Sequence, residues 1–513
     1  MDILSTFGSM FWHIFTSPLL ILILVGSTFL GIIFGAMPGL TATLGVALLT
    51  TLTYGLDNQT ALLALLSIYV GGVYGGMYTS ILLNIPGTAA SAATAMDGYP
   101  MAQKGQAGRA FGLATTSSLI GSAIGMVFVA LLSPVIAKAA LQFTSYEYFL
   151  LALFGILISG SLTSPELAIK GWIAGLFGIW LSTIGQDHMQ MYPRFTMGIH
   201  ELDNGIDVVP VLIGAFGIPQ IMSVLESKMK MGSMNAKSIG RLLPDFKTMF
   251  SNTRNIIASA LTGVGIGAVP GIGEDIAAWV AYGIARKTSK RPETFGKGAP
   301  EGVISTSTAN QACVGGAMIP LLSLGIPGSP PAVMLLGALM LHNVAPGPML
   351  LKTNPSFIPE VTAILFAAAI AMWVCGMILS KQVIHILRIP QTLFMPLIAV
   401  LCVIGSFALG MRVFNLYLMG IIGIISYFFI KLKVPIAPLV IGVILGPMAD
   451  TSLRTGLKTT GGSLMPLIER PISFILVCVI VMIICSQIPA VNRAIRSLFN
   501  SLKNRLPSHK EAS

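Results

Sequence analysis

Charged residues are scarce in this chain. Only 10% of its 513 residues are Asp, Glu, Lys or Arg, whereas apolar residues make up 54%. A soluble globular protein carries about 25% charged residues, so water is not the main solvent of this chain. Apolar runs such as Pro18–Met37, Val361–Leu379 and Ile472–Ile488 have close to the 20 residues that a membrane-spanning helix needs. The sequence therefore predicts a multi-pass membrane protein.

The alternating pattern of a transmembrane β-strand is also missing from these runs. Because lipid offers no hydrogen-bond partners, only helices and closed β-barrels span a bilayer. The fold class is therefore predicted to be all-α, with about 11–12 transmembrane segments embedded in the lipid bilayer.

Several catalytic and metal-binding patterns are absent. The five cysteines lie in apolar stretches without metal-ligand spacing, and neither a G-x-x-x-x-G-K-[ST] phosphate loop nor an H-E-x-x-H zinc motif occurs. Gly271-Ile-Gly273-Glu274-Asp275 approaches the G-x-G-D of membrane aspartyl proteases, but no second aspartate lies centrally in an apolar run. The sequence therefore predicts neither an enzyme nor an ATP-driven pump, and no cofactor.

The net charge of +11 is concentrated between the apolar segments. Basic residues cluster in Glu226–Arg254, in Arg286–Lys297 and after Arg493, which is the pattern of cytoplasmic loops rather than of nucleic-acid binding. No nucleic-acid partner is predicted, and the C-terminus is expected in the cytoplasm. Segments with few basic residues are expected outside: Asp57–Thr60, Gln186–Asn204 and His342–Pro348.

Two copies of one motif interrupt the apolar segments. Gly31-Ile-Ile-Phe-Gly35-Ala-Met-Pro38-Gly39-Leu40 aligns without a gap with Gly263-Val-Gly-Ile-Gly267-Ala-Val-Pro270-Gly271-Ile272. A second break follows each copy, as Asn84-Ile-Pro86-Gly87-Thr88 and as Gly325-Ile-Pro327-Gly328-Ser329. Close helix packing is the alternative reading of glycines spaced four apart. The recurrence of both breaks in the same order favours an internal repeat.

The second copy indicates a re-entrant helical hairpin. Asn255–Ala285 lies between two basic loops but has only about 30 residues, and two full spans need about 40. The first copy is followed by Asp57 and no nearby basic residue, which indicates inverted topology. We therefore expect two inverted membrane repeats with Pro-Gly-broken hairpins, at 1–225 and 255–490, a cytoplasmic linker at 226–254 and a cytoplasmic tail at 491–513.

Paired broken helices are the best sequence indication of a secondary transporter's binding site. A helix start carries unpaired N–H groups and the positive end of the dipole, which bind anions, and a helix end carries carbonyls that suit Na⁺. The predicted substrate-binding residues lie at or beside the breaks: Pro38, Gly39, Thr41, Thr43, Asn84, Pro86, Gly87, Thr88, Ser91, Pro270, Gly271, Gly273, Asn310, Gln311, Pro327, Gly328 and Ser329.

Two polar segments of the second copy have alternative interpretations. Glu274 and Asp275 lie just past a break, where buried charge is costly, so we predict that they bind the coupling ion, H⁺ or Na⁺. Capping of the nearby helix amides is the structural alternative. The run Ser305–Gln311 either contributes to the site or forms a solvated loop.

The longer motifs resemble a known family. They are Pro38-Gly39-Leu40, Ile85-Pro86-Gly87-Thr88, Asp97-Gly98-Tyr99-Pro100-Met101-Ala-Gln-Lys104-Gly105-Gln106-Ala-Gly108-Arg109, Phe295-Gly296-Lys297-Gly298 and Leu324-Gly-Ile-Pro327-Gly328-Ser329. Together they are similar to the large membrane subunit of the tripartite tricarboxylate transporters.

This resemblance implies a permease of the bacterial inner membrane that imports a citrate-like tricarboxylate or related carboxylate on an H⁺ or Na⁺ gradient. It implies two partners, a small four-helix membrane subunit and a periplasmic solute-binding protein. We expect alternating access of the elevator kind, with a homodimer as an open possibility and a stand-alone carboxylate permease or channel as the alternative function.

The chain departs from the family pattern at Ile304–Ala312, at Thr41-Ala42, and at Glu274 and Asp275, where small neutral residues are usual. These departures suggest a substrate or coupling ion different from that of the citrate-type members.

Overall fold

The computed structural model describes residues 3–37, 40–163, 168–187, 189–226, 245–271, 273–378, 382, 391–408 and 411–487. Two predicted site residues, Pro38 and Gly39, lie outside the described residues. So do residues 227–244 of the predicted linker and the whole predicted tail at 491–513.

The first half of the chain is helical except for a small hairpin. Its helices are α1 (Ile3–Thr16), α2 (Pro18–Ala36), α3 (Ala42–Leu52), α4 (Asn58–Gly75), α5 (Met77–Leu83), α6 (Ala89–Gln103), α7 (Ala107–Ala140), α8 (Ser145–Thr163), α9 (Ala168–Ser182) and α10 (Val208–Glu226). Between α9 and α10, β1 (Gly185–Gln186) pairs antiparallel with β2 (Pro193–Arg194), and a 3₁₀ turn spans His200–Leu202.

The second half is helical as well. They are α11 (Phe246–Ser251), α12 (Thr253–Gly267), α13 (Gly273–Thr288), α14 (Pro300–Leu324), α15 (Pro330–Leu341), α16 (Leu350–Thr353), α17 (Phe357–Ile378), α18 (Gln391–Ala408), α19 (Val413–Lys431), α20 (Ile436–Thr459), α21 (Pro466–Glu469) and α22 (Pro471–Ser486). A 3₁₀ turn at Pro292–Thr294 separates α13 from α14.

The helix lengths confirm an all-α polytopic membrane protein. Among the described residues, seven helical segments are long and apolar enough to cross a membrane, and six further apolar helices have only 10–17 residues. Some of the shorter helices are the halves of broken segments. For example, α3 has 11 residues and α15 has 12, which is less than the roughly 20 residues of a full span.

Glycines let the broken helices pack closely on their neighbours. A Cβ atom at Gly31 would collide with the α4 backbone at Ile68 and Gly72, and one at Gly263 would collide with the α14 backbone at Ala309. Gly121 of α7 meets the backbone of α14 in the same way. The glycine spacings therefore serve packing, and they do so at equivalent places in both copies of the motif.

The broken helices form one central bundle to which both halves of the chain contribute. Helix α2 packs on α4 as α12 packs on α14, while α3 packs on α15 and α6 on α13. Two three-helix groups lie beside this bundle. One consists of α8, α9 and α20, and the other of α18, α19 and α10, so each takes two helices from one half and one from the other.

Several ion pairs join segments that lie far apart in the sequence. Arg109 pairs with Asp245 at 2.8 Å and Lys431 pairs with Glu226, all in segments predicted to be cytoplasmic. Four other pairs are Arg194–Asp450, Arg454–Asp187, Arg412–Asp207 and Arg470–Glu147. Of these residues, Asp187 and Arg194 belong to Gln186–Asn204, a segment predicted to be external.

Candidate functional site

Four helices begin around one cavity of about 210 Å³ inside the central bundle. They are α3, α6, α13 and α15, the helices that follow the four breaks. The residues that line the cavity are Thr41, Ala42, Thr43, Val73, Gly87, Thr88, Ala89, Ala90, Glu274, Asp275, Asn310, Pro330 and Pro331. None of them is basic.

Side-chain caps fix three of these helix starts. The hydroxyl of Thr41 accepts a hydrogen bond from the N–H of Leu44 at 3.2 Å, and Ser329 accepts one from Ala332 at 3.4 Å. Thr88 forms a capping box with Ser91, in which each side chain accepts a backbone N–H of the other residue. Hydroxyl residues occur at these positions because they satisfy N–H groups that a helix start leaves unpaired.

The turns before these helices depend on unusual backbone conformations. Asn84 and Gly325 end α5 and α14 in the left-handed conformation, with φ of 56° and 74°. Gly271 and Gly273 have φ of 80° and 67° at the break between α12 and α13. Glycine tolerates this region without a Cβ penalty, so these residues shape the breaks.

Two further glycines let the turns approach the bundle. A Cβ atom at Gly87 would collide with the backbone oxygen of Gly35, and one at Gly328 would collide with that of Gly267. Each I-P-G break therefore sits directly against the end of the first broken helix of its own half, in both halves of the chain.

Glu274 belongs to a buried hydrogen-bond chain across three helices. The Tyr69 hydroxyl of α4 donates to Glu274 Oε1 at 2.5 Å and lies 2.8 Å from Ser329 Oγ, the cap of α15. Glu274 is only 6% exposed. Tyr69 was not a predicted site residue, because a tyrosine in an apolar helix carries no local signal of its partner 205 residues away.

Asp275 caps a helix of the other half of the chain. Its Oδ1 accepts a hydrogen bond at 3.1 Å from the N–H of Ala90, the second residue of α6. The capping alternative concerned the amides of its own helix, and the structure instead shows a cap that links α13 to α6. A carboxylate at a helix start is stabilised by the N–H group and by the helix dipole.

The polar run Ser305–Gln311 is not a solvated loop. All seven residues lie within α14 and are buried. The Asn310 amide donates to the Val73 carbonyl at 3.1 Å and the Gln311 amide to that of Val70 at 3.2 Å. The side-chain oxygens of both residues have no partner.

The structure thus brings together seven of the predicted site residues at the cavity wall: Thr41, Thr43, Gly87, Thr88, Asn310, Glu274 and Asp275. Ser329 reaches the cavity network through Tyr69. The other described ones form the turns or the layer behind the wall: Asn84, Pro86, Ser91, Pro270, Gly271, Gly273, Gln311, Pro327 and Gly328. Pro330, Pro331 and Val73 line the cavity and were not predicted.

Asp97 holds α6 to the loop that precedes α14. Its Oδ1 accepts hydrogen bonds of 2.8–2.9 Å from the N–H groups of Gly296, Gly298 and Ala299, and its Oδ2 accepts one from the Tyr282 hydroxyl at 3.0 Å. Asp97 is fully buried. The D-G-Y-P and F-G-K-G motifs are therefore joined by the hydrogen bonds of Asp97, outside the cavity.

Metal ligands do not cluster in the part of the chain that the structure describes: no group of three or more His, Cys, Asp or Glu residues there could hold a metal ion. The cavity instead offers helix N-termini, hydroxyls, one amide oxygen and two carboxylates.

A polar cavity at the ends of broken helices, enclosed by apolar spanning helices, defines a membrane transport protein rather than an enzyme. The match to a family model is specific: the chain belongs to the Tripartite tricarboxylate transporter TctA family, whose model covers residues 20–441. Transporters of this family work with a binding protein and a small membrane subunit.

Two curated relatives come from Agrobacterium vitis. A protein described as an uncharacterized 52.8 kDa protein in the TAR-I ttuC' 3' region is 32% identical over 494 residues, which are 96% of this chain and 97% of that protein. A second, described as an uncharacterized protein in the TAR-II ttuC' 3' region, is 30% identical over 43% of this chain and 93% of its own length. No solved structure matches the chain.

Proposed function

We propose that this permease imports an organic carboxylate, a tricarboxylate or a related acid, across the bacterial inner membrane by secondary active transport. A periplasmic solute-binding protein would deliver the substrate, and a small four-helix membrane subunit would complete the system. The observation that carries the proposal is the convergence of four helix N-termini on one cavity.

Helix starts favour an anionic substrate. Each carries about half a positive charge and unpaired N–H groups, and such ends bind carboxylates without a basic side chain. The predicted residues at the four breaks would position the substrate, with Thr41, Thr43, Thr88 and Asn310 at the cavity wall.

The two carboxylates of the cavity support coupling to a cation. Glu274 and Asp275 lie among helix ends whose combined positive charge is roughly two units, so the empty cavity is close to neutral. An anionic substrate then needs compensation by a proton or by Na⁺. We therefore assign Glu274 and Asp275 as the residues that take up the coupling ion.

The arrangement of the helices supports an inverted repeat. Residues 1–225 and 255–490 would form its two halves, with the cytoplasmic linker 226–254 between them and the cytoplasmic tail 491–513 after them. Helices of the two halves pack against each other, α3 on α15 and α6 on α13, which agrees with this division. Movement of the central bundle past the two flanking groups would give an elevator-like alternating access.

Transport into proteoliposomes tests the proposal. The permease is reconstituted with its binding protein and small subunit, and uptake of a labelled carboxylate is measured with an inward H⁺ gradient, with an inward Na⁺ gradient and with neither. Uptake that needs one of the gradients supports a symporter. Passage without a gradient and without the binding protein would favour the stand-alone permease or channel.

The coupling role is tested in the same assay with Glu274→Gln and Asp275→Asn. Each variant should lower uptake or change its dependence on the ion. Unchanged uptake with unchanged ion dependence in both variants would remove these residues from the mechanism.

A further inference from the structure

We infer that the cavity takes a small hydroxymonocarboxylate, because the protein's own Asp275 already fills one of the anion positions. This inference rests on the proposed carboxylate transport and narrows its substrate class. The inference depends on which backbone N–H groups and side-chain acceptors at the cavity have no partner among the described residues.

The start of α15 offers almost no donors. Its first two residues, Pro330 and Pro331, have no N–H group, and the N–H of Ala332 is bonded to Ser329 Oγ. A substrate carboxylate therefore has no backbone partner at this helix.

The start of α6 is occupied from within the protein. The N–H of Ala90 donates to Asp275 and that of Ser91 donates to Thr88 Oγ1 at 3.2 Å. Only the N–H of Ala89 is left at this end. Asp275 thus stands where a second substrate carboxylate would otherwise bind.

The start of α13 carries Glu274 and Asp275 themselves. When one coupling cation is bound, one of these two negative charges remains and opposes the approach of a further anion to this end. Three of the four helix starts are therefore closed to a substrate carboxylate, by the absence of N–H groups, by an internal anion and by charge.

The start of α3 is the end that remains open. Ala42 and Thr43, its first two residues, line the cavity, and within the described residues neither N–H has an acceptor. Two adjacent N–H groups at a helix start suit one carboxylate. The cavity therefore has one complete position for a carboxylate.

Asn310 supplies an independent indication of what else the substrate carries. Its side chain is 2% exposed and lines the cavity, and its amide N–H group is bonded to Val73. Its oxygen Oδ1 has no partner. A buried acceptor needs a donor, and a carboxylate has none, so a hydroxyl group on the substrate is the complement.

Binding to the purified permease in nanodiscs tests the inference without the selectivity of the binding protein. Calorimetry at neutral pH in Na⁺, where all four acids are ionised, compares lactate, propionate, malate and citrate, so that hydroxyl and carboxylate number vary separately. Lactate should bind about tenfold or more tighter than propionate, which lacks the hydroxyl, and malate and citrate should bind more weakly than lactate. Asn310→Ala should bring lactate and propionate to similar affinities.

Asp275 is tested with a matched pair of variants. Asp275→Ala frees the Ala90 N–H and should raise malate affinity about tenfold relative to lactate. Asp275→Asn keeps an acceptor oxygen at that N–H and should shift the ratio much less. Melting curves confirm that the variants are folded.

The outcomes distinguish failure of this inference from failure of the proposed carboxylate transport. Citrate binding as tight as lactate, equal binding of lactate and propionate by the unmodified protein, or no shift with Asp275→Ala would overturn the inference while leaving carboxylate transport in place. Failure of all four acids to bind, together with no uptake of any carboxylate in proteoliposomes, would overturn the proposed function as well.

Discussion

Tyr69 connects helix α4 to two of the helix starts at the cavity, through Glu274 and Ser329. Tyr69→Phe removes the hydroxyl that donates to Glu274 and leaves a buried carboxylate with one hydrogen bond fewer. We expect carboxylate uptake to fall about tenfold, because a lost buried hydrogen bond to a charged group costs about 1.5–3 kcal/mol.

Tyr74→Phe is the matched control for this prediction. Tyr74 is also fully buried in α4, and its hydroxyl bonds to Thr115 at 2.6 Å, away from the cavity. Both variants should lower the melting temperature, but only Tyr69→Phe should lower uptake in the folded population. An equal loss of transport in the two variants would show that Tyr69 acts through stability alone.

Asp97 is a residue whose role is structural. Asp97→Ala leaves three backbone N–H groups and the Tyr282 hydroxyl without their acceptor. We expect the free energy of unfolding to fall by about 3 kcal/mol or more, since each buried unsatisfied donor costs about 1–3 kcal/mol. Denaturation in detergent measures this, and a change below about 1 kcal/mol would contradict it.

At the scale of elements, glycine spacing determines how closely the broken helices pack. Gly31→Val should separate α2 from α4, because a Cβ there collides with backbone atoms, whereas Gly26→Val in the same helix meets nothing within 4 Å. Overpacking costs about 1–3 kcal/mol, so only Gly31→Val should lower the melting temperature markedly.

The same pair of substitutions can be compared in α12, which carries the second copy of the motif. Gly263→Val collides with the α14 backbone, and Gly265→Val meets nothing within 4 Å. The same ordering of melting temperatures is expected. A similar melting temperature for Gly263→Val and Gly265→Val would mean that the two copies do not pack equivalently.

Two ion pairs, Arg194–Asp450 and Arg454–Asp187, hold the hairpin between α9 and α10 to α20, and the Asp187 pair depends on pH. The pKa of Asp187 is held below its usual 3.8 by the N–H of Met189 and by the Arg454 guanidinium, 2.6 Å away. A lowered folded pKa means that the stabilisation is fully present above pH 3.8 and is lost as the pH falls through the folded value. Pepsin should therefore cut the Met189–Ile199 loop only as the pH drops below the pKa of Asp187 in the folded protein.

Asp187→Asn removes the titrating group and should abolish that pH dependence. The loop would then be cut to a similar extent across the acid range. A pH step that persists in this variant would point to a different titrating group.

At the scale of the whole molecule, local patterns predicted the elements but not their partners. Low charge and long apolar runs predicted an all-α membrane protein, and the recurrent Pro-Gly breaks predicted where helices end and restart. These features depend on residues close in sequence. The bonds from Tyr69 to Glu274 and from Ala90 to Asp275 join residues 205 and 185 positions apart, and no local period specifies such pairs.

The burial of the polar run Ser305–Gln311 in α14 also could not be predicted from local sequence. Six of the seven residues in Ser305–Gln311 are polar, and such a run suits a solvated loop as well as a buried helix when only hydropathy is considered. The close approach of α7 and α12 through their glycines buries this run, and that approach depends on tertiary packing.

Helices α6 and α13 come from opposite halves of the chain, yet hydrogen bonds join them at two places along their length. Asp275 joins α13 to the first turn of α6, and Asp97 joins the middle of α6 to Tyr282 and to the loop beyond α13. Sliding one helix past the other by a turn would break every one of these bonds at once. We therefore expect α6 and α13 to move as one rigid unit, with bending confined to the segments where the chain enters and leaves this pair.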